Sequence, residues 1–427
     1  MSRKFSAAGD ISYRPSKWCH DLLPLQNQEN LQEGKLVSVP LNKIVGPGSK
    51  EGGRADTLQK ADKVFAVSSN DLIAVDMTSR RVVAYHYTDG KHLFPLYKCP
   101  YPEKWRDVIC IASKNEGAFR NTPVFSLLIL TEKGRLIKLE MRQDTLTFVE
   151  VYRVSIDSKN DFTQILLFEP PPPEDGREGL APQIYLWAPK RKMLQNIFIT
   201  VDENGPFPYT GRAEPVSGKD IKIRNPELVG APISVNGEDL SLAIDSRKET
   251  ILCADKSNHI LFECQMGSSG SVVLCGRGTP GCPEEGVPSK QAYLNTPCAP
   301  LSYHPQDYIE KSRFSTGARD ALNVKQPGLP RIILLCDVGN QAVRKLWQFP
   351  NDPQVHDLAG HDKVYTLVCD SGSKDALRRL SCKNPKGFYV NPEGVLTITT
   401  EDFAYIITSA GVLPEVRTGQ SEVEGGT

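Results

Sequence analysis

Charge of one dominant sign is missing from this chain: among 427 residues, 51 Lys and Arg are matched by 51 Asp and Glu. No global field therefore draws it to nucleic acid or to a membrane, and only local patches can do so. No stretch approaches the roughly 18 apolar residues of a membrane span. The opening MSRKFSAAGDISYRPSKW lacks the apolar run of a secretory signal. No N-x-[ST] acceptor site occurs, and none of the eleven cysteines forms a C-x-x-C. Most sit in apolar runs such as VICIAS, TILCAD, SVVLCG and IILLCDV, which predicts buried core thiols rather than a zinc cluster or a disulfide framework. These absences together predict a cytoplasmic protein with no membrane contact. Hydrolase signatures are also missing: there is no G-x-S-x-G elbow, no H-E-x-x-H helix and no cysteine in a catalytic signature. The seven histidines are scattered, and His356 and His361, the closest pair, flank a Gly turn.

What the chain does have is short apolar runs separated by turns. Residues 63–90, KVFAVSSNDLIAVDMTSRRVVAYHYTDG, give strand, turn, strand, turn, strand, and 232–266 repeat the design. A fourth strand follows each time, as in SVVLCG (271–276) or VHDLAG (355–360). Inner and middle strands of six such units fall near 63–90, 107–141, 162–200, 229–266, 298–349 and 386–410, a spacing of about 40 to 55 residues outside the insertion in the fifth, which is the period of a propeller blade. Three units share a turn of Asp, two residues, then Ser or Asn: Asp76 with Ser79, Asp255 with Asn258, Asp337 with Asn340. The carboxylates are placed to accept backbone N–H bonds of the turn, with the Ser or Asn tolerating the unusual backbone angles.

CGRGTPGC (275–282) carries Gly276, Gly278 and Gly281 in G-x-G-x-x-G order, yet no helix can follow. Pro280, Pro283 and Pro288 would interrupt its first turns, so the glycines are not a dinucleotide site. The stretch from Gly276 through Glu285-Gly286, Ala292, Leu294, Asn295 and Pro297 to Asp337 and Asn340 resembles the NHL-repeat β-propellers, with a weaker copy around Gly46, Gly48 and Gly53. The resemblance implies that the glycines form a connection from one blade's outer strand to the next blade's inner strand. It is poor over 105–225, where EPPPPEDGREGLAPQ reads as an exposed polyproline loop. The expected fold is all-β: a closed β-propeller of six four-stranded blades over 35–414. Strand 35–46 closes the last blade, 304–330 form an insertion in blade five, 1–34 an N-terminal tail and 415–427 a disordered C-terminal tail.

Two functions are compatible with such a ring. In the first, turns joining second and third strands form a basic face of Arg80, Arg81, Lys133, Arg135, Lys190, Arg191, Lys192, Lys256, His259, Arg344 and Lys345, although the sixth turn, TTEDF, is acidic. The chain is then a monomeric, non-catalytic scaffold for a protein partner, or for RNA, and needs no cofactor. The second resembles the lactonase and gluconolactonase hydrolases, with calcium or another divalent cation on the axis. Asp62, Asp107, Asp161 and Glu227, with Asn384, precede the inner strands as its ligands. The residue pattern favours the scaffold.

Overall fold

The computed structural model describes residues 10–12, 19–21, 35–44, 58, 60–67, 71–86, 91–113, 124–142, 147–156, 161–170, 182–205, 207–267, 270–282, 286–304, 331–348, 362–369, 382–391, 394–407 and 415–416. The weaker glycine copy, most of both tails, 171–181 of the proline-rich loop, 305–330 of the insertion, His356 and His361 lie outside them.

Apolar runs of four to eight residues between turn formers become four-stranded antiparallel meanders. The first is Lys63–Ala66, Asp71–Asp76, Arg81–His86 and Lys91–Lys98. The second is Trp105–Ser113, Val124–Thr131, Arg135–Arg142 and Thr147–Ile156. The third is Gln164–Phe168, Gln183–Ala188, Met193–Val201 and Tyr209–Pro215. The fourth is Leu240–Asp245, Thr250–Asp255, Ile260–Gln265 and Ser271–Cys275. The fifth is Pro297–Tyr303, Arg331–Asp337, Ala342–Gln348 and Lys363–Cys369. The sixth is Gly387–Val390, Leu396–Thr399 and Phe403–Ile407, and Lys35–Pro40 pairs antiparallel with Phe403–Ile407 to complete it.

Middle strands such as Thr250–Asp255 and Arg331–Asp337 are buried along their whole length. Such strands read as continuous apolar runs, because both faces of each sheet meet a neighbour. Six apolar cores result, each between successive meanders. Ile73 packs toward Leu127, Leu130 toward Leu186, Trp187 toward Phe262, Leu261 toward Leu335, Ile332 toward Ile398, and Ile406 toward Leu72. The last of these joins the two ends of the series, so the arrangement is propeller-like. Cys99, Cys110, Cys253, Cys264, Cys275 and Cys336 are buried within these sheets.

Three local expectations need correction. The closing strand stops at Pro40, and Leu41–Ile44 form a helical turn that buries Leu41 and Ile44 against the first meander. The fifth meander's outer strand is Lys363–Cys369, while 355–360 lie outside the described residues. Over 105–225, Tyr152–Ile156 pairs in parallel with Tyr209–Ala213, so the second and third meanders share one continuous sheet. That pairing replaces the connection seen between the fourth and fifth, in the region where the repeat resemblance is weakest.

The glycines of 275–282 are structural. Gly276 has φ +103°, and a Cβ there would stand 2.4 Å from the His259 carbonyl oxygen. One at Gly281 would enter the Tyr293 ring. Ala292 and Leu294, farther along the same connection, are fully buried between the fourth and fifth meanders. Asp76 accepts from Ser79 N (2.8 Å), and Asp255 accepts from Ser257 N and Asn258 N (both 3.0 Å). Asp337 instead accepts from Asn295 N on the connection (2.6 Å) and from the Asn340 side chain (2.8 Å). The left-handed residue is not the Ser or Asn but its successor, Arg80, His259 or Gln341 (φ 60°, 53° and 51°).

Candidate functional site at the axis

Inner strands of all six meanders line one cavity of about 400 Å³, with Phe65, Cys110, Gln164, Ser241, Ala299 and Tyr389 as one representative of each. An inner strand presents an unpaired edge, whose backbone groups must find partners. Neighbouring side chains supply them. The Lys63 ammonium donates to Val108 O (2.8 Å), and Asp107 accepts from Ile165 N (2.7 Å). Gln164 donates to Leu240 O (2.8 Å) and accepts from Leu242 N (3.0 Å). Ser241 accepts from Ala299 N (2.9 Å), and Thr397 from Ala66 N (3.0 Å). Among the described residues, five of the six joins between meanders thus carry a side-chain-to-backbone bond.

The proposed metal ligands do not converge. Asp62 accepts from Met77 N (2.9 Å) and pairs with Lys60 (2.8 Å). Asp107 is only 7% exposed, pairs with Lys63 and also accepts from Val108 N (2.9 Å). Asp161 is exposed and pairs with Arg106 and Lys190. The Arg106 hydrogen bond, then that of Lys190, lowers its pKa. Glu227 is a correction: the inner strand of its meander is Leu240–Asp245, and Glu227 sits exposed on an added outer strand opposite Val272. Asn384 is exposed, in a left-handed conformation. Among the described residues no three His, Cys, Asp or Glu side chains are grouped to hold an ion. Calcium requires about six to eight oxygen ligands. These carboxylates, already engaged by lysines, arginines and backbone N–H groups, do not fit it.

The basic face divides. Lys133, Lys190, Arg191 and Lys256 are exposed, and Arg81 and Lys192 are half-buried. Arg80 donates to Tyr101 O (2.8 Å), and Arg135 pairs with Glu103 (2.8 Å). His259 accepts from Thr296 N through Nδ1 (3.1 Å), and burial lowers its pKa. Arg344 and Lys345 are each 1% exposed, which corrects their placement on the face. The strand begins at Ala342, before them, so both lie inside a sheet covered on its two sides, with Arg344 donating to Thr366.

Two features escaped the sequence. One is Lys386 on the cavity wall, whose Nζ donates to Ala61 O (2.8 Å). The other is a buried cluster between the fourth and fifth meanders. There Asp245 accepts from Arg331 Nε (2.7 Å), Ser302 Oγ (2.6 Å) and His304 Nε2 (2.9 Å), while Arg331 also pairs with Glu263 (2.6 Å). Burial alone would raise the Asp245 pKa; the His304 hydrogen bond, the Arg331 charge and the Ser302 hydroxyl outweigh it and hold the carboxyl well below the usual range. Although these are Ser, His and Asp, Ser302 donates to Asp245 itself, and the His304 nitrogen facing Ser302 (3.3 Å) is the one that meets Asp245. A relay needs the two imidazole nitrogens to face different partners. The cluster is an anchor that ties down both residues flanking 305–330.

No family model matches the chain, and no curated protein does. Among solved structures it is similar to a structural genomics protein of unknown function from Bacteroides thetaiotaomicron (12% identity, TM-score 0.48, 88% of this chain and 76% of that one). It is also similar to an auxiliary nutrient binding protein from Bacteroides ovatus (10%, 0.47, 87% and 76%). A luciferin-regenerating enzyme is a third (10%, 0.39, 89% and 97%). At these identities the likeness is one of overall shape. No described helix is long and apolar enough to cross a membrane.

Proposed function

We propose that the chain is a closed six-bladed propeller of NHL type that acts as a non-catalytic binding module, with a protein partner docking on the face of its second-to-third turns. The observation that carries this reading is a rigid ridge of mixed charge shared by the third and fourth meanders. Gly237 packs so tightly on Pro189 that a Cβ would stand 2.0 Å from its carbonyl oxygen, and Gly237 O accepts from Trp187 Nε1 (3.3 Å). Asp239 in turn holds the next turn, accepting from Ser257 Oγ (2.6 Å) and Lys256 N (3.2 Å). Lys190, Arg191 and Lys256 are thereby presented beside Glu238, Asp239 and Asp161 on a preformed surface. Interspersed charges of both signs suit a complementary protein surface. An RNA backbone would call for a continuous positive stripe, so RNA is the less supported partner.

Reversing three exposed charges, Lys190→Glu, Arg191→Glu and Lys256→Glu, should leave folding nearly unchanged, within about 0.5 kcal/mol for each site. Proteins captured from a lysate by the wild-type chain should be lost by the triple variant, as compared by quantitative mass spectrometry. A captured set indifferent to all three reversals overturns the face assignment. The hydrolase reading is tested separately by calcium titration in a calorimeter. No saturable binding and no shift in melting with chelator are expected; one tightly held ion per chain would favour the hydrolase.

A further inference from the structure

Lys63, Lys386, Asp62 and Asp107 line one end of the axial cavity, and Lys60 adjoins them through its pair with Asp62. Lys60 pairs with Asp62, and Lys63 gives its ammonium to Asp107 and to Val108 O. Lys386 is the third, and its Nζ donates to a neutral acceptor, Ala61 O. An ammonium carries three N–H donors, so with Lys60 set against Asp62 and Lys63 against Asp107 the Lys386 charge remains at the cavity wall, with donors beyond the one given to Ala61 O. Burial draws the Lys386 pKa below its ordinary value; Asp62 opposes that shift, as do Glu401 and Asp402 on an exposed turn, and Lys60 reinforces it. Glu401 is itself paired with Lys383 (3.1 Å), and neither Glu401 nor Asp402 lines the cavity.

Beyond the charged end the walls turn apolar, with Phe65, Ile109, Leu167, Leu242 and Phe388 following the charged positions along the inner strands. Tyr389 stands edge-on to Phe65, centroids 5.2 Å apart. The volume, about 400 Å³, falls in the range of small-ligand sites, about 300 to 1,000 Å³.

We propose that this cavity binds a small organic monocarboxylate whose head group is received by the Lys386 ammonium and whose compact apolar body lies against Phe65, Phe388 and Tyr389. With Asp62 set against Lys60 and Asp107 against Lys63, Lys386 is the lining ammonium whose charge is left for a ligand, which favours one anionic group. A divalent cation would meet that charge, and a second carboxylate would have to reach past Phe65 and Phe388 to Gln164 and Ser241, whose side chains already bond backbone groups of neighbouring strands. The ligand-contacting residues Lys386, Phe65, Phe388 and Tyr389 include none of the ridge residues Lys190, Arg191 and Lys256, so the proposal stands whether or not the partner reading does.

The test uses 4-phenylbutyrate as probe with the full chain in a titration calorimeter. Saturable one-to-one binding is expected. The neutral isostere 4-phenylbutanol should bind about 10-fold to 100-fold more weakly, the worth of a charge-assisted hydrogen bond. Lys386→Met should weaken the acid by a similar factor and leave the alcohol unchanged. The triple charge-reversal variant should bind the acid as the wild type does. If Lys386→Met fails to fold, the acid-against-alcohol comparison on the unaltered chain still decides. Equal affinity for acid and alcohol, no saturable binding of either 4-phenylbutyrate or hexanoate at millimolar concentration, or loss of binding in the triple variant would each overturn the proposal.

Discussion

Replacing Arg331 with Met should lower folding stability by about 3–5 kcal/mol, because removing one partner of a buried ion pair leaves the other charge uncompensated. Arg331 is 3% exposed and Asp245 2%, so water cannot take over. Glu263 and the Gln348 amide oxygen, 2.6 and 2.9 Å from the same guanidinium nitrogen, lose their donor too. Urea unfolding measures the loss, and a change under about 1 kcal/mol would show that the network does not hold the fold. The pH dependence supplies a second readout. The Asp245 carboxyl is held below its unfolded value, so its contribution is present above about pH 4 and is lost as pH falls through the lower folded value. Arg331→Met should therefore flatten the acid limb of the stability curve. In an Asp245→Asn background the same substitution should cost less, since the two sites share one network.

Asp337→Ala should cost about 2–4 kcal/mol at pH 5. Asp337 is fully buried and accepts from Asn295 N and the Asn340 amide, and a buried donor left without an acceptor costs about 1–3 kcal/mol. The effect falls on the joint between the fourth and fifth meanders, because Asn340 also donates to Gly281 O (2.9 Å) and so ties the glycine connection to the same carboxylate. The pH effect has the opposite sign to that of Asp245. Burial, opposed by Asn340, Asn295 and the charge of Arg344, raises the Asp337 pKa to about 6. Its favourable contribution is complete below the unfolded value near pH 4 and is lost as pH rises through about 6. The neutral Asp337→Asn variant should lack that decline. Denaturant midpoints at pH 4 and 7 for both chains test it; parallel changes in the two would refute the assignment.

Both predictions concern residues with unequal sequence signals. Asp337 stood in a repeated turn pattern that marked it as a structural acceptor within its own turn, whereas its burial and its bond to Asn295, 42 positions away, arise only in the fold. Asp245 and Arg331 lie 86 positions apart with an insertion between them, and nothing local links them. The axial cavity was hidden for the same reason. Its lining is spread over all six meanders, and Lys386 looks like any lysine before a strand. Arg344 and Lys345 misled because a charge two residues past a turn is ordinarily exposed, yet here both faces of the strand are covered. Asp62 and Asp161 stand ahead of inner strands as expected, whereas Asp107 lies inside Trp105–Ser113, and the chemistry of all three depends on Lys60, Lys63 and Arg106.

Local interactions were enough to specify the strands, their turns and the non-helical fate of the 275–282 glycines. Apolar runs, Asp-led turns and prolines act over a few residues, and those effects are written in order along the chain. Which charges face water, which aspartates meet lysines and what the cavity can hold were decided only when the meanders packed against one another. Burial and electrostatic pairing depend on distance in space, and the closing contacts join residues as far apart in the chain as Ala66 and Thr397.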